Sequence, residues 1–258
     1  MLNLSKWYLD VVTDEGTVLV AYALSIKWAA LRVEGASFLL ADPGSEPRER
    51  RVWSHVRAPS QNGDSLRFCH EDLRIDGEWR RSASAIDASL LDDESGRLSW
   101  ACAAPCADAT VRLDGRTLVG KGYAECLTMT QMPWTLPLRH LRWGRFTGES
   151  HSAVWIAWRG GPPRQWVWLD GVPQPTAEAD DSGVAGLSGG QDLRLAPIRD
   201  ICDRRSLRAL FSHAPALESG LAGPLRNLRD AKRLARGTLV RDGATVDQGW
   251  TIHEVVTW

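Results

Sequence analysis

The residues best suited to chemistry are carboxylates that strand alternation sets among bulky apolar neighbours. After Asp114-Gly115, alternation puts Val119, Lys121, Tyr123, Glu125 and Leu127 on one face, and Gly120, Gly122, Ala124 and Cys126 on the other. Near the C-terminus Trp250, Ile252, Glu254, Val256 and Trp258 share a face, and near the N-terminus Asp10 shares one with Tyr8 and Val12. A carboxyl group in such surroundings is costly unless it is paired, hydrogen-bonded or protonated. A protonated one can act as a general acid near neutral pH. Glu125 is therefore a candidate acid, with Glu254 the second choice. Asp10 or Glu254 could accept the final proton, and Tyr123 could orient the carboxyl group or a water. The competing expectation is that these carboxylates face solvent or pair with the abundant Arg and Lys.

Other chemistries lack their motifs. The sequence holds no GxxxxGK[ST] loop and no strand–GxGxxG–helix unit. Five cysteines (Cys69, Cys102, Cys106, Cys126 and Cys202) are an odd number, and MLNLSKWYLD lacks a signal-peptide apolar core. Free thiols and a cytoplasmic location are expected. Cys69-His70 with Cys102-Ala-Ala-Pro-Cys106 does not have zinc-site spacing, so neither metal nor cofactor is expected. With 31 Lys+Arg against 32 Asp+Glu, the chain has no electrostatic footprint of a nucleic-acid binder. The most apolar stretch, from Val18 to Val33, is interrupted by Ser25 and Lys27, so no transmembrane span is expected; peripheral membrane contact and oligomeric state stay open.

The elements that must position these groups read as strands. From Thr17, the even positions Val18, Val20, Tyr22, Leu24, Ile26 and Trp28 are bulky, while the odd positions are mostly small. Asp-Gly pairs at 76–77, 114–115, 170–171 and 242–243 predict tight hairpin turns. Trp155, Trp158, Trp166 and Trp168 mark two further short strands around Arg159-Gly-Gly-Pro-Pro. Helical spacing occurs over Asp203–His213 and Pro224–Ala235, so a minor helix is expected near residues 203–236. Residues 42–64 and 172–192 read as irregular loops. The expected architecture is mainly β, a barrel or sandwich of many short antiparallel strands.

Three patches resemble the carotenoid 1,2-hydratase and tocopherol cyclase group of lipocalin-like (calycin) proteins. They are Lys6-Trp-Tyr-Leu-Asp10, then Gly120-Lys-Gly-Tyr-Ala-Glu125 with Leu136-Pro-Leu-Arg-His-Leu-Arg-Trp-Gly-Arg145, and finally Gly249-Trp-Thr-Ile-His-Glu-Val-Val-Thr-Trp258. The resemblance implies two consecutive lipocalin-like barrels, here 1–140 and 141–258, with a ligand cavity at or near their junction. It also implies acid-initiated hydration or cyclisation of a hydrophobic isoprenoid, with Glu125 at the position of the acid. The group's hydratases tend to carry Asp-His-Asn there, whereas this chain has Glu125-Cys126-Leu127. Trp7, Trp28, Trp134 and Trp143 lie in or beside the patches. The chain has 13 Trp beside only 4 Phe and 3 Tyr, and these four Trp could line a pocket and face a carbocation. Plain core packing is the other reading of each. His140, His151 and His253 could relay protons, although His253 alternates away from Glu254. Arg139, Arg142 and Arg145 are expected to form a solvated or salt-bridged corner. The alternative to an enzyme is a non-catalytic carrier or binding protein for a hydrophobic small molecule, and a protein with filled barrels that serves interaction is a third possibility.

Overall fold

The computed structural model describes residues 2–205 and 229–257. The chain divides into two compact units, Met1–Met132 and Pro133–Trp258. The first is one antiparallel sheet of β1 (Leu2–Thr13), β2 (Val18–Trp28), β3 (Leu31–Ala41), β4 (Arg48–Val52), β5 (Ser60–Asn62), β6 (Ser65–His70), β7 (Ile75–Arg81), β8 (Ile86–Asp93), β9 (Gly96–Leu113) and β10 (Arg116–Met129). Its order is β4-β3-β2-β1-β10-β9-β7-β6-β5, with β8 also pairing with β9. The second unit holds β11 (His140–Gly148), β12 (Ser152–Arg159), β13 (Arg164–Leu169), β14 (Val172–Pro173), β15 (Glu178–Asp180), β16 (Gly183–Leu187), β17 (Gln191–Arg205), β18 (Arg229–Arg241) and β19 (Ala244–Thr257). Its order is β14-β13-β12-β11-β19-β18-β17-β16-β15. In both units the first strand pairs with the last. The fold is mainly β, two consecutive lipocalin-like antiparallel halves.

Alternation decides which face is core. In the first unit Leu9, Val11, Leu19, Ala21, Phe38, Leu40, Phe68 and Trp79 pack into one buried cluster. The small odd residues of β2 belong to this cluster, and the bulky even ones, Val20 and Tyr22 among them, lie on the opposite face. In the second unit Phe146, Trp155, Val167, Leu169 and Leu193 form the equivalent cluster. Asp114, Asp170 and Asp242 adopt φ of 48°, 53° and 50°, each followed by a positive-φ glycine, as a tight hairpin turn requires.

Several sequence expectations are corrected. Asp76-Gly77 is not a turn but lies inside β7, where a Cβ on Gly77 would come within 2.6 Å of the Trp79 ring. Its glycine is kept for packing. The expected loops at 42–64 and 172–192 contain β4 and β5, and β14, β15 and β16, strands of two to five residues, too short for alternation to mark them. Residues 229–235 are strand β18, not helix, because cross-strand pairing with β17 and β19 overrides the helical spacing. Residues 203–205 are likewise strand, and the remainder of the expected helix, 206–228, lies outside the described residues. Arg145 is not at a solvated corner. It is fully buried and donates to Thr147 Oγ1 (2.8 Å) and to the carbonyl oxygen of Trp250 (3.1 Å); alternation sets it with Trp143 on the face opposite the Phe146 cluster, between buried Val154 and Ile252. Arg142 does form an ion pair, with Asp181. No helix among the described residues is long and apolar enough to cross a membrane.

Candidate active site

Register brings the chemistry of the first unit together on the face opposite its core. Across β1–β10, Tyr8 pairs with Glu125 and Asp10 with Tyr123; across β1–β2, Tyr8 pairs with Tyr22. The chain has three tyrosines, and all three meet here. Tyr8 stands edge-on between the other two, with ring centres 5.5 Å from Tyr22 and 5.9 Å from Tyr123. Such edge-to-face pairs each add about 0.5–1.5 kcal/mol beyond area burial, so the ladder is rigid.

Glu125 closes the ladder. Its Oε2 accepts a hydrogen bond from Tyr123 Oη at 2.5 Å and another from Trp100 Nε1 at 2.5 Å. Two neutral donors on one oxygen fix the rotamer of the carboxyl group, and Glu125 itself is half-buried rather than on an exposed wall. Burial first, then the neighbouring Cys102 and Glu125, push the Tyr123 phenol well above its ordinary range, so it stays a protonated donor. Burial likewise holds Cys102 as a thiol.

Two local devices aim these groups. Between Gly122 and Glu125 the pairing with β9 shifts twice, so β9 carries extra residues around Pro105. A bulge is where a strand tolerates proline, which has no N–H to donate. Past the bulge, Cys102 faces Glu125 and Trp100 faces Leu127. The second device is Gly122, where a Cβ would stand 2.7 Å from both Trp79 Cδ1 and the Asp10 carbonyl oxygen. The missing side chain lets Trp79 Nε1 donate to that carbonyl at 2.6 Å, anchoring β1 from below. Asp10 itself is fully buried.

The remaining expected site residues are dispersed. Trp28 lies on the Glu125 face, three rungs along, or about 20 Å at ~3.3 Å per residue. Trp7 lies on the opposite face, packed against the core. Trp134 sits in a single 3-10 turn, Pro133–Thr135, and Trp143 on β11; both belong to the second unit. Glu254 also lies there, opposite Trp143, and is ion-paired to Lys232 Nζ at 2.8 Å. Lys232 is 2% exposed and bonds both oxygens of Asp230 at 2.7 and 2.6 Å. His253 points to the other face, as its alternation requires. His140 and His151 lie on Thr257 and Asp170. Trp100, Tyr22 and Cys102 are the functional candidates missed from sequence. Which β9 residue meets Glu125 depends on the bulge, and only Pro105 hinted at one.

A groove of about 340 Å³ in the first unit is bordered by Asp87, Ser89, Ser99, Trp100, Ala101 and Cys126. Pairing puts Ser99, Ala101 and Cys126 on the face opposite Glu125, so these lining residues lie across the sheet from the tyrosine ladder. Among the described residues no group of His, Cys, Asp and Glu is arranged to hold a metal ion. The five cysteines carry no disulfide: Cys69 is exposed, Cys102 and Cys106 are buried, and Cys126 and Cys202 are half-buried.

No family model matches the chain. No curated protein matches it either. Among solved structures, a putative AttH from Nitrosomonas europaea superposes with a TM-score of 0.57 at 12% identity, over 99% of this chain and 92% of that one. Kievitone hydratase from Nectria haematococca gives 0.57 at 10% identity, over 98% and 88%. CghA with Sch210972 gives 0.55 at 11% identity, over 99% and 88%. At such identities the likeness is one of fold, and it extends over the whole chain.

Proposed function

We propose that this protein catalyses proton-initiated hydration or cyclisation of a hydrophobic, isoprenoid-like small molecule at the Glu125 cluster. The observation that carries the reading is the convergence of Tyr123 Oη and Trp100 Nε1 on Glu125 Oε2. With Oε2 occupied as acceptor, the transferable proton is carried on Oε1. Delivery of that proton to an alkene carbon leaves a carboxylate and a carbocation. The ring faces of Tyr8, Tyr22 and Trp100 are near enough to stabilise the cation, each by about 1–2 kcal/mol when desolvated. Water or an internal double bond then captures it, and the proton released returns to Glu125 or goes to Asp10, the buried carboxyl group opposite Tyr123. Tyr123 orients the carboxyl group and remains neutral throughout. The fold shared with a structure named kievitone hydratase supports a hydratase-type reaction without assigning the substrate.

The alternative, a carrier that encloses its ligand, needs room inside a barrel. The interior face of the first unit is instead taken up by a contiguous side-chain core that includes Trp79 and Phe68.

The test pairs ligand identification with one substitution. Native mass spectrometry of protein purified from its own host should reveal a co-purifying hydrophobic molecule. Glu125→Gln keeps the shape and removes the donor, so turnover of that molecule should fall about 100-fold or more while binding persists. Wild-type turnover by the variant would end the proposal.

A further inference from the structure

One cation on the Glu125 face takes no part in the reaction above. Lys6 lies on β1, two residues before Tyr8, and its Nζ stands 5.1 Å from the centre of the Tyr22 ring. Its cross-strand neighbours are Leu24 and Leu127, and the next rung holds Leu4 between Ile26 and Met129. Leu4, Leu24, Ile26 and Leu127 are half-buried, as Lys6 is. Glu125 is the diagonal neighbour of Lys6 on β10, about 7–8 Å away between backbone positions. An ammonium therefore marks the border between an apolar strip and the tyrosine–glutamate cluster.

Its hold on Tyr22 is weak, since a partly exposed cation–π contact contributes only about 0.5–1 kcal/mol. A charge-assisted hydrogen bond to an anion is stronger. The neighbouring rung, that of Tyr8 and Tyr22, carries a second cation. Tyr22 pairs with Ser37, and Ser37 with Arg51 of β4, whose side chain is 20% exposed and pairs with Glu49 at 2.7 Å. Lys6 and the Glu49-paired Arg51 thus lie on the same face as Glu125, beside its apolar strip.

We infer that the substrate is an amphipathic carboxylic acid whose carboxylate is bound by Lys6. Its apolar body lies along Leu24, Ile26 and Leu127, and its reacting bond reaches Glu125. The inference rests on the proposed function, because it takes the Glu125 face as the place where substrate binds. Lys6 here determines specificity and does not enter the proton transfer.

Retinoic acid and its methyl ester share an isoprenoid body and differ in charge, so they are titrated against the full chain with tryptophan emission as the readout. The acid should bind about tenfold more tightly than the ester. Lys6→Gln should abolish that preference, Lys6→Arg should restore most of it, and Glu125→Gln should leave it in place. Equal affinity for acid and ester in the wild type, or a preference that survives Lys6→Gln, overturns the inference. Should Lys6→Gln fail to fold, the wild-type ratio and Lys6→Arg decide. If the preference depends on Lys6 while Glu125→Gln turns over the native substrate normally, the catalytic reading falls and this one stands.

Discussion

Glu125 and Glu254 occupy equivalent places in two sheets of the same topology, yet they are held by opposite chemistry. Each lies on the last strand of its unit, opposite an aromatic residue of the first strand: Tyr8 for Glu125 and Trp143 for Glu254. The strand before the last supplies the other neighbour. There Cys102 faces Glu125, whereas Lys232 faces Glu254. The buried ammonium of Lys232 is shared between Glu254 and Asp230. Glu125 instead accepts hydrogen bonds from a phenol and an indole, two donors that carry no charge. One backbone arrangement thus yields a buried ion cluster in one unit and a carboxyl group held by a phenol and an indole in the other. The identity of a single cross-strand residue accounts for much of the difference.

That contrast can be broken most forcefully at Lys232. Lys232→Met removes the cation that Asp230 and Glu254 share, and loss of one partner from a buried ion cluster costs about 3–5 kcal/mol. Denaturant unfolding should show that loss, and adding Glu254→Gln should recover part of it; an unchanged midpoint would show that the cluster is not structural. Next comes activity. Glu125→Gln should lower turnover about 100-fold, equivalent to roughly 2.7 kcal/mol of barrier, whereas Glu254→Gln should leave turnover within about threefold of wild type and act on stability instead. Comparable turnover losses in the two variants would erase the distinction drawn here. A smaller effect is expected at Tyr123. Tyr123→Phe removes one of two donors to Oε2 and should reduce kcat about tenfold with little change in KM, and a change confined to KM would assign the tyrosine to substrate binding. The smallest effect is a pH dependence in the second unit. Burial, reinforced by Arg233, holds the His253 imidazole below its ordinary value of 6.5. The unfolded chain therefore binds more protons than the native state as pH falls below about 6.5. Stability should be complete above that pH and decline below it, and His253→Gln should flatten the decline.

The sequence made the face of Glu125, Tyr123 and Asp10 legible, because period-two alternation needs only local strand geometry. Three of its hairpin turns were equally plain, since Asp-Gly supplies positive φ without tertiary help. What it could not show was what lies across a strand boundary. Trp100 is 25 residues from Glu125 along the chain, and its register depends on extra residues near Pro105. Lys232 sat in a segment whose spacing suits a helix, and only its neighbours β17 and β19 make it a strand. Trp7 and Trp28 looked alike in sequence, but the odd–even difference in their positions sends them to opposite faces.

The bulge in β9 gives chain length a role that residue type cannot play. Ala104 and Ala107 are three residues apart yet both lie on the core face, while Cys102, two residues from Ala104, lies on the other. The two extra residues together slide the Gly96–Cys102 arm of β9 by two positions along β10 and leave each side chain on its face. An unshifted ladder would set Ala104 opposite Glu125, Cys102 opposite Leu127 and Trp100 opposite Met129, one rung from where the indole is needed. In this fold, the count of residues between two strand contacts is itself heritable information about the site, and an alignment that tracks only identities would pass over it.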